Sequence, residues 1–149
     1  MKIDRLGGPA LSLFRMVIGL LFLCHGLSSL FGVFGGARGT GEAVPLGQWP
    51  GWWAALIQAV CGALVLAGLF SRPAALVASG SMAYAYFAVH QPEGLLPLSN
   101  GGELAALFCW SFVLVAALGP GTWALDSLMR RDREPVVVTA TAGERSGVA

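Results

Sequence analysis

Apolar residues run along this chain in four long blocks, separated by short stretches that are polar or rich in glycine. The blocks extend from Pro9 to Gly32, Trp53 to Phe70, Pro73 to His90 and Gly101 to Gly119. Each approaches the ~20 residues needed to cross ~30 Å of hydrocarbon at ~1.5 Å of helical rise per residue. The pattern therefore predicts an all-α fold, an integral membrane antiparallel four-helix bundle. Pro9 opens the first block, and proline is favoured in the first turn of a helix. Ser71-Arg72-Pro73, between the second and third blocks, is too short for anything but an antiparallel hairpin. Ala59, Ala63 and Ala67 recur at a spacing of four, as do Ala74 with Ala78 and Ala75 with Ser79 and Ala83. Small residues at this spacing let membrane helices approach closely, so the second and third blocks are expected to pack tightly.

The breaks carry their own signals. Residues 33–50 are rich in glycine and lead into Trp49-Pro50-Gly51-Trp52-Trp53, which reads as an interfacial aromatic belt. Pro92 disfavours helix at Gln91, and Gly94 permits a turn. Asn100 is a good N-cap, and Glu103 then falls at the capping-box position three residues later. From Arg130 onward the chain is polar and aperiodic. Residues 1–127 are thus expected to form one transmembrane domain, and residues 128–149 a disordered cytoplasmic tail.

Composition agrees with burial in lipid. Of 149 residues, 56% are hydrophobic and only 11% charged, against about 25% charged in an average soluble domain. The net charge of +1 gives no reason to expect a nucleic-acid partner; the expected partners are the lipid bilayer and other membrane proteins. Charge placement sets orientation. Lys2, Arg5, Arg72, Arg130, Arg131 and Arg133 fall on one side of the four-span arrangement and Arg38 on the other, which puts both termini in the cytoplasm. The first block outruns a signal-peptide core and no soluble domain follows it, so it reads as an anchor.

Against this background the intramembrane polar residues stand out, because ionisable groups in a bilayer are costly and mark candidate sites. His25 lies about 24 Å along the first helix, His90 a similar distance along the third, and Glu103 begins the fourth from the outside. All three reach the outer side. Ser28 and Ser29 extend the polar face from His25, and Tyr86 lies one turn before His90. If these faces point inward, they enclose an outward-facing polar pocket floored by Phe22, Met82 and Trp110. Its candidate ligand-binding residues are His25, Ser29, Tyr86, His90, Asn100 and Glu103. A quinone suits such a pocket, since imidazole and phenol can bond its oxygens and histidine exchanges protons near neutral pH. A metal is not expected, because no short ligand spacing supports one. A purely structural reading is also open, with the histidines tying helix ends together and Glu103 acting as a cap. Arg15, about 9 Å into the first helix, either snorkels toward headgroups or partners a buried carboxylate or an anionic ligand. Gln58 is expected to bond a neighbouring helix. Cys24, Cys61 and Cys109 lie in different spans without a Cys-x-x-Cys pair, so they read as small apolar residues.

Several phrases together resemble one family. Arg15 followed by Gly19-Leu20-Leu21-Phe22-Leu23-Cys24-His25-Gly26 and Leu30-Phe31-Gly32 resembles the first helix of the DoxX family. Gly62-Ala63-Leu64-Val65-Leu66-Ala67-Gly68-Leu69-Phe70-Ser71-Arg72-Pro73-Ala74 resembles its second hairpin. Tyr86-Phe87-Ala88-Val89-His90 and Pro97-Leu98-Ser99-Asn100-Gly101-Gly102-Glu103 resemble its third helix and the start of its fourth. The resemblance covers residues 8 to 127 and implies a bacterial cytoplasmic-membrane protein, usually a subunit of membrane oxidoreductase systems. Relatives include DoxD-type subunits of thiosulfate:quinone oxidoreductase and proteins linked to oxidative, thiol or quinone stress. Ser29 stands where that family often carries lysine, and Gln58 where it often carries glutamate.

The function expected is a membrane subunit of a redox assembly, with a quinone-type ligand as the candidate for its outward-facing polar pocket. No flavin, haem or iron–sulfur motif occurs in the chain, so electrons must come from another protein, and any catalysis belongs to a complex. The alternatives are a non-catalytic scaffold or assembly factor of a respiratory or stress-response complex, and a small-molecule transporter. Transport usually shows broken helices and internal repeats, and neither is evident here.

Overall fold

The structure, a computed structural model, describes residues 6–127. Lys2, Arg5, Arg130, Arg131, Arg133 and the tail expected over residues 128–149 lie outside the described residues. Every regular element among the described residues is helical. Helix α1 (Gly7–Phe31) has 25 residues and α2 (Gly51–Ala67) has 17. Helix α3 (Ser71–Ala85) continues into a π-helical turn, Tyr86–His90. A single turn, α4 (Pro97–Asn100), precedes α5 (Glu103–Leu118), which has 16 residues. The apolar blocks of the sequence and the long helices thus coincide to within a few residues. Of these, α1 alone is long and apolar enough by itself to cross a membrane.

Two seams hold the long helices together. Along the first, Gly19 faces Gly62 and Leu66 while Gly26 faces Ala55 and Ala59, so α1 and α2 run antiparallel. A Cβ on Gly19 would lie 2.6 Å from the Leu66 amide nitrogen, so glycine there is what permits the backbones to meet. Along the second seam, Ser79 Oγ donates to the Cys109 carbonyl at 3.0 Å, and the Tyr86 ring lies against Gly102. Helices α3 and α5 are therefore antiparallel too. The expectation that the second and third blocks form the tight small-residue contact is corrected. They are hairpin neighbours, but the closest approach is between α1 and α2, and Ala63 and Ala67 face outward. Register explains this, because the glycine in α2 turns the Gly62 face toward α1 and leaves the Ala63 face free.

Between the seams lies an aromatic core. Phe22, wholly buried, packs on Phe108 and Phe112 with ring centroids 5.2 and 4.7 Å away. Ile18, Val65, Ala75, Ala78 and Met82 close around it. The expected pocket floor is not assembled: Phe22 and Met82 belong to this packed core, whereas Trp110 faces outward at 72% exposure.

The distribution of polarity is inverted relative to a water-soluble bundle. Ser12, Arg15, Ser28, Gln58, Ser71 and Ser79 are buried. Large aliphatic side chains such as Leu13, Val17, Leu21, Val60, Leu76, Val77, Leu107 and Leu118 are exposed along all four long helices. A buried polar set inside an exposed apolar jacket is the arrangement a hydrocarbon solvent favours.

Candidate functional site

The bundle has two polar ends, and they differ in what their side chains do. At the first, Arg15 points inward rather than snorkelling, and it is 1% exposed. Its Nε donates to the Pro120 carbonyl at 2.8 Å and its Nη1 to the Leu66 carbonyl at 2.8 Å. It also donates to the carbonyls of Val65 and Trp123. The fork of guanidinium donors thus gathers the C-terminal end of α2 and the segment after α5 around one buried charge. Arg15 does not snorkel: its bonds go to backbone carbonyls, and the part-buried Asp126 carboxylate is close enough to interact with its charge. Ser12 Oγ adds a bond from the Trp123 amide at 3.0 Å. Asp126 completes this end by accepting from the Phe70 and Ser71 amides at 3.0 and 3.1 Å. It thereby caps the start of α3, where Phe70 adopts the left-handed conformation at φ 47°.

At the other end the residues singled out by sequence are brought together in part. The Tyr86 hydroxyl donates to the Leu95 carbonyl at 3.1 Å. His90 Nδ1 lies 3.1 Å from the Asn100 carbonyl; a carbonyl only accepts, so Nδ1 carries a proton, and in the neutral ring Nε2 is then an acceptor. Asn100 is buried, donates to the Gly94 carbonyl at 2.7 Å and accepts from the Gly102 amide at 2.8 Å. It therefore shapes the turn instead of capping α5. The N-cap of α5 is Gly102, and no capping box forms with Glu103. The π-helical turn adds a residue to the helical repeat just where Tyr86 and His90 must face this loop.

The remaining candidates sit apart from that cluster. His25 is exposed on α1, and Ser29 is half-buried with its carbonyl accepting from Val44 at 2.8 Å. Glu103 is exposed at the start of α5, where it lines a shallow groove of about 290 Å³ with Pro97, Ala106, Leu107 and Trp110. Gln58 departs most from expectation. It is 7% exposed, yet its Oε1 has no donor among the described residues, so the interhelical bond expected of it is not made. Because Gly26 meets Ala55 and Ala59, Gln58 lies level with His25. An orphaned buried acceptor costs ~1–3 kcal/mol and calls for a reason. Among the described residues, no three His, Cys, Asp or Glu side chains are placed to hold a metal, and the three cysteines are free.

Comparison with known proteins adds the following. A family model described as DoxX matches residues 10–91. An uncharacterized protein of Haemophilus influenzae is 34% identical over 124 residues, which cover 78% of this chain and 88% of that protein. No solved structure matches.

Proposed function

This chain belongs to the DoxX family of membrane proteins, and from that premise we propose that it is a multi-pass subunit of a redox assembly in a bacterial inner membrane. In this reading its four long helices span the bilayer, and it takes a quinone-class ligand at the end that carries Gln58. The exposed apolar jacket and the buried, fully bonded Arg15 support the spanning arrangement. Orientation follows the excess of Lys and Arg on the side of Arg72, which gives cytoplasmic termini.

Gln58 Oε1 is the observation that carries the ligand reading. A buried acceptor without a donor is suited by a ligand that brings a hydroxyl and a flat apolar ring, which describes a reduced quinone. When bound, such a ligand supplies paired electron and proton transfer. His25, level with Gln58, is placed to exchange the proton with the exterior, and His90 Nε2 is a second acceptor at the same end. Ser29, Tyr86, Asn100 and Glu103 are the remaining polar candidates on the same side, with Tyr86 and Asn100 acting through the loop they bond. Electrons enter from a partner protein of the assembly.

A second reading, a non-catalytic membrane scaffold, is favoured by one observation: Tyr86, His90 and Asn100 spend their polar groups on the chain's own loop. One experiment separates the two. The protein is extracted from its own membrane in mild detergent and weighed by native mass spectrometry. Bound quinone with a co-purifying oxidoreductase, both lost in Gln58→Leu and His25→Ala, supports the redox reading. Partners retained in both variants, with no quinone in the wild type, supports the scaffold.

A further inference from the structure

Helix α5, with 16 residues, is about 24 Å long, roughly 6 Å short of a ~30 Å hydrocarbon layer. Apolar structure must make up the missing height at one of its ends. At the Leu118 end the chain turns directly into the Arg15 carbonyl cage. At the Glu103 end it does something different. Pro97 returns to line a groove with Ala106 and Trp110, so the preceding loop folds back beside the first two turns of α5.

That loop is built for hydrocarbon. Leu95, Leu96 and Leu98 are 77%, 64% and 80% exposed, and no charged residue occurs from Gly94 to Gly102. In a bilayer each backbone polar group needs an internal partner, since there is no water to serve as one. Six of the nine carbonyls from Gly94 to Gly102 have such partners, the Gly102 carbonyl accepting from the Ala106 amide. Asn100 bonds Gly94, Tyr86 bonds Leu95, Ser99 Oγ bonds Leu96 at 2.9 Å, and His90 bonds Asn100. The Gly102 amide bonds the Pro97 carbonyl at 3.1 Å, and Pro97 has no N–H to satisfy.

We propose that residues 94–102 form a re-entrant membrane element whose Leu95, Leu96 and Leu98 side chains contact lipid acyl chains. The surface continues the outward apolar face of α5 at Leu107 and Leu114. Glu93 and Glu103 bracket the segment. On this account Tyr86, His90 and Asn100 let a non-helical segment sit at membrane depth. The inference rests on the multi-pass reading above.

Collision measurements on a nitroxide label test it in the full chain. Leu98→Cys is labelled after Cys24, Cys61 and Cys109 are replaced by alanine, and the protein is placed in phosphatidylethanolamine–phosphatidylglycerol vesicles. Leu114→Cys on α5 and Gln48→Cys in the 33–50 loop serve as references, with Leu95→Cys as a second loop site. The expected result is oxygen accessibility at Leu98 and Leu95 matching Leu114, with collisions with a water-soluble nickel chelate several-fold below those at Gln48. Nickel collisions at the Gln48 level, with Leu114 still shielded, overturn the re-entrant loop alone. Low accessibility to both reagents also overturns it and indicates a protein partner over the leucines. Nickel collisions at Leu114 itself overturn the multi-pass reading, and the loop proposal with it.

Discussion

Arg15 Nε donates to the Pro120 carbonyl at 2.8 Å although 105 positions separate the two residues. The Trp123 amide bond to Ser12 Oγ joins the same two segments, and the same guanidinium also holds Val65, Leu66 and Trp123. Arg15→Ala would strand these carbonyls without donors in the interior. The expected loss is at least ~3 kcal/mol, since bonds to a charged donor contribute ~1.5–3 kcal/mol each. Arg15→Lys should recover little, because an ammonium cannot reproduce the planar fork. Thermal denaturation followed by fluorescence-detected gel filtration in detergent reads both variants.

The α1–α2 seam predicts opposite results from adjacent residues. Gly62→Val places its side chain against the Leu23 backbone and should cost ~1–3 kcal/mol or more by overpacking. Ala63→Val points outward and should change stability by less than ~0.5 kcal/mol. Equal losses in the two variants would show that the register assigned to α2 is wrong.

Gln58→Leu removes the orphaned acceptor while keeping the volume of the side chain. It should therefore stabilise the ligand-free protein by ~1–3 kcal/mol while abolishing retention of quinone. A rise in Tm combined with lost binding is a signature that a merely structural glutamine would not give.

Asn100→Ala deletes a donor and an acceptor from a buried turn, at an expected cost of ~1–3 kcal/mol. The damage should be local. Hydrogen exchange should accelerate at the Gly102 amide and through residues 94–102, with the Phe22–Phe108–Phe112 core unchanged. Acceleration spread over α1 and α2 would contradict the division of the molecule into two separately bonded ends.

The helices were legible in the sequence because apolar runs of helix length have few other uses. The helix that carries each polar side chain is legible in the sequence but its bonding partner is not, and the reason is physical. Arg15, Tyr86, Ser79 and Asn100 all bond backbone carbonyls, and every residue carries a carbonyl, so the acceptor leaves no mark on the sequence. Asp126 was passed over for the same reason, as it accepts from two backbone amides 55 and 56 positions earlier. The seam is hard to assign from sequence because Ala63-x-x-x-Ala67 and Gly19-x-x-x-x-x-x-Gly26 are both small-residue stripes. Only the rotation of α2 decides which stripe meets a neighbour.

The Arg15 cage also orders events during synthesis. The arginine is made 105 residues before the Pro120 carbonyl that receives it, a lag of roughly 5–20 s at the usual ~5–20 residues per second. Until Val65 and Leu66 are made, 50 and 51 positions later, the first helix carries an unpaired cation that favours the aqueous flank of the insertion machinery. The amino-terminal helix of a chain so arranged enters the bilayer first and is seated last, when Pro120 and Trp123 emerge and close the latch.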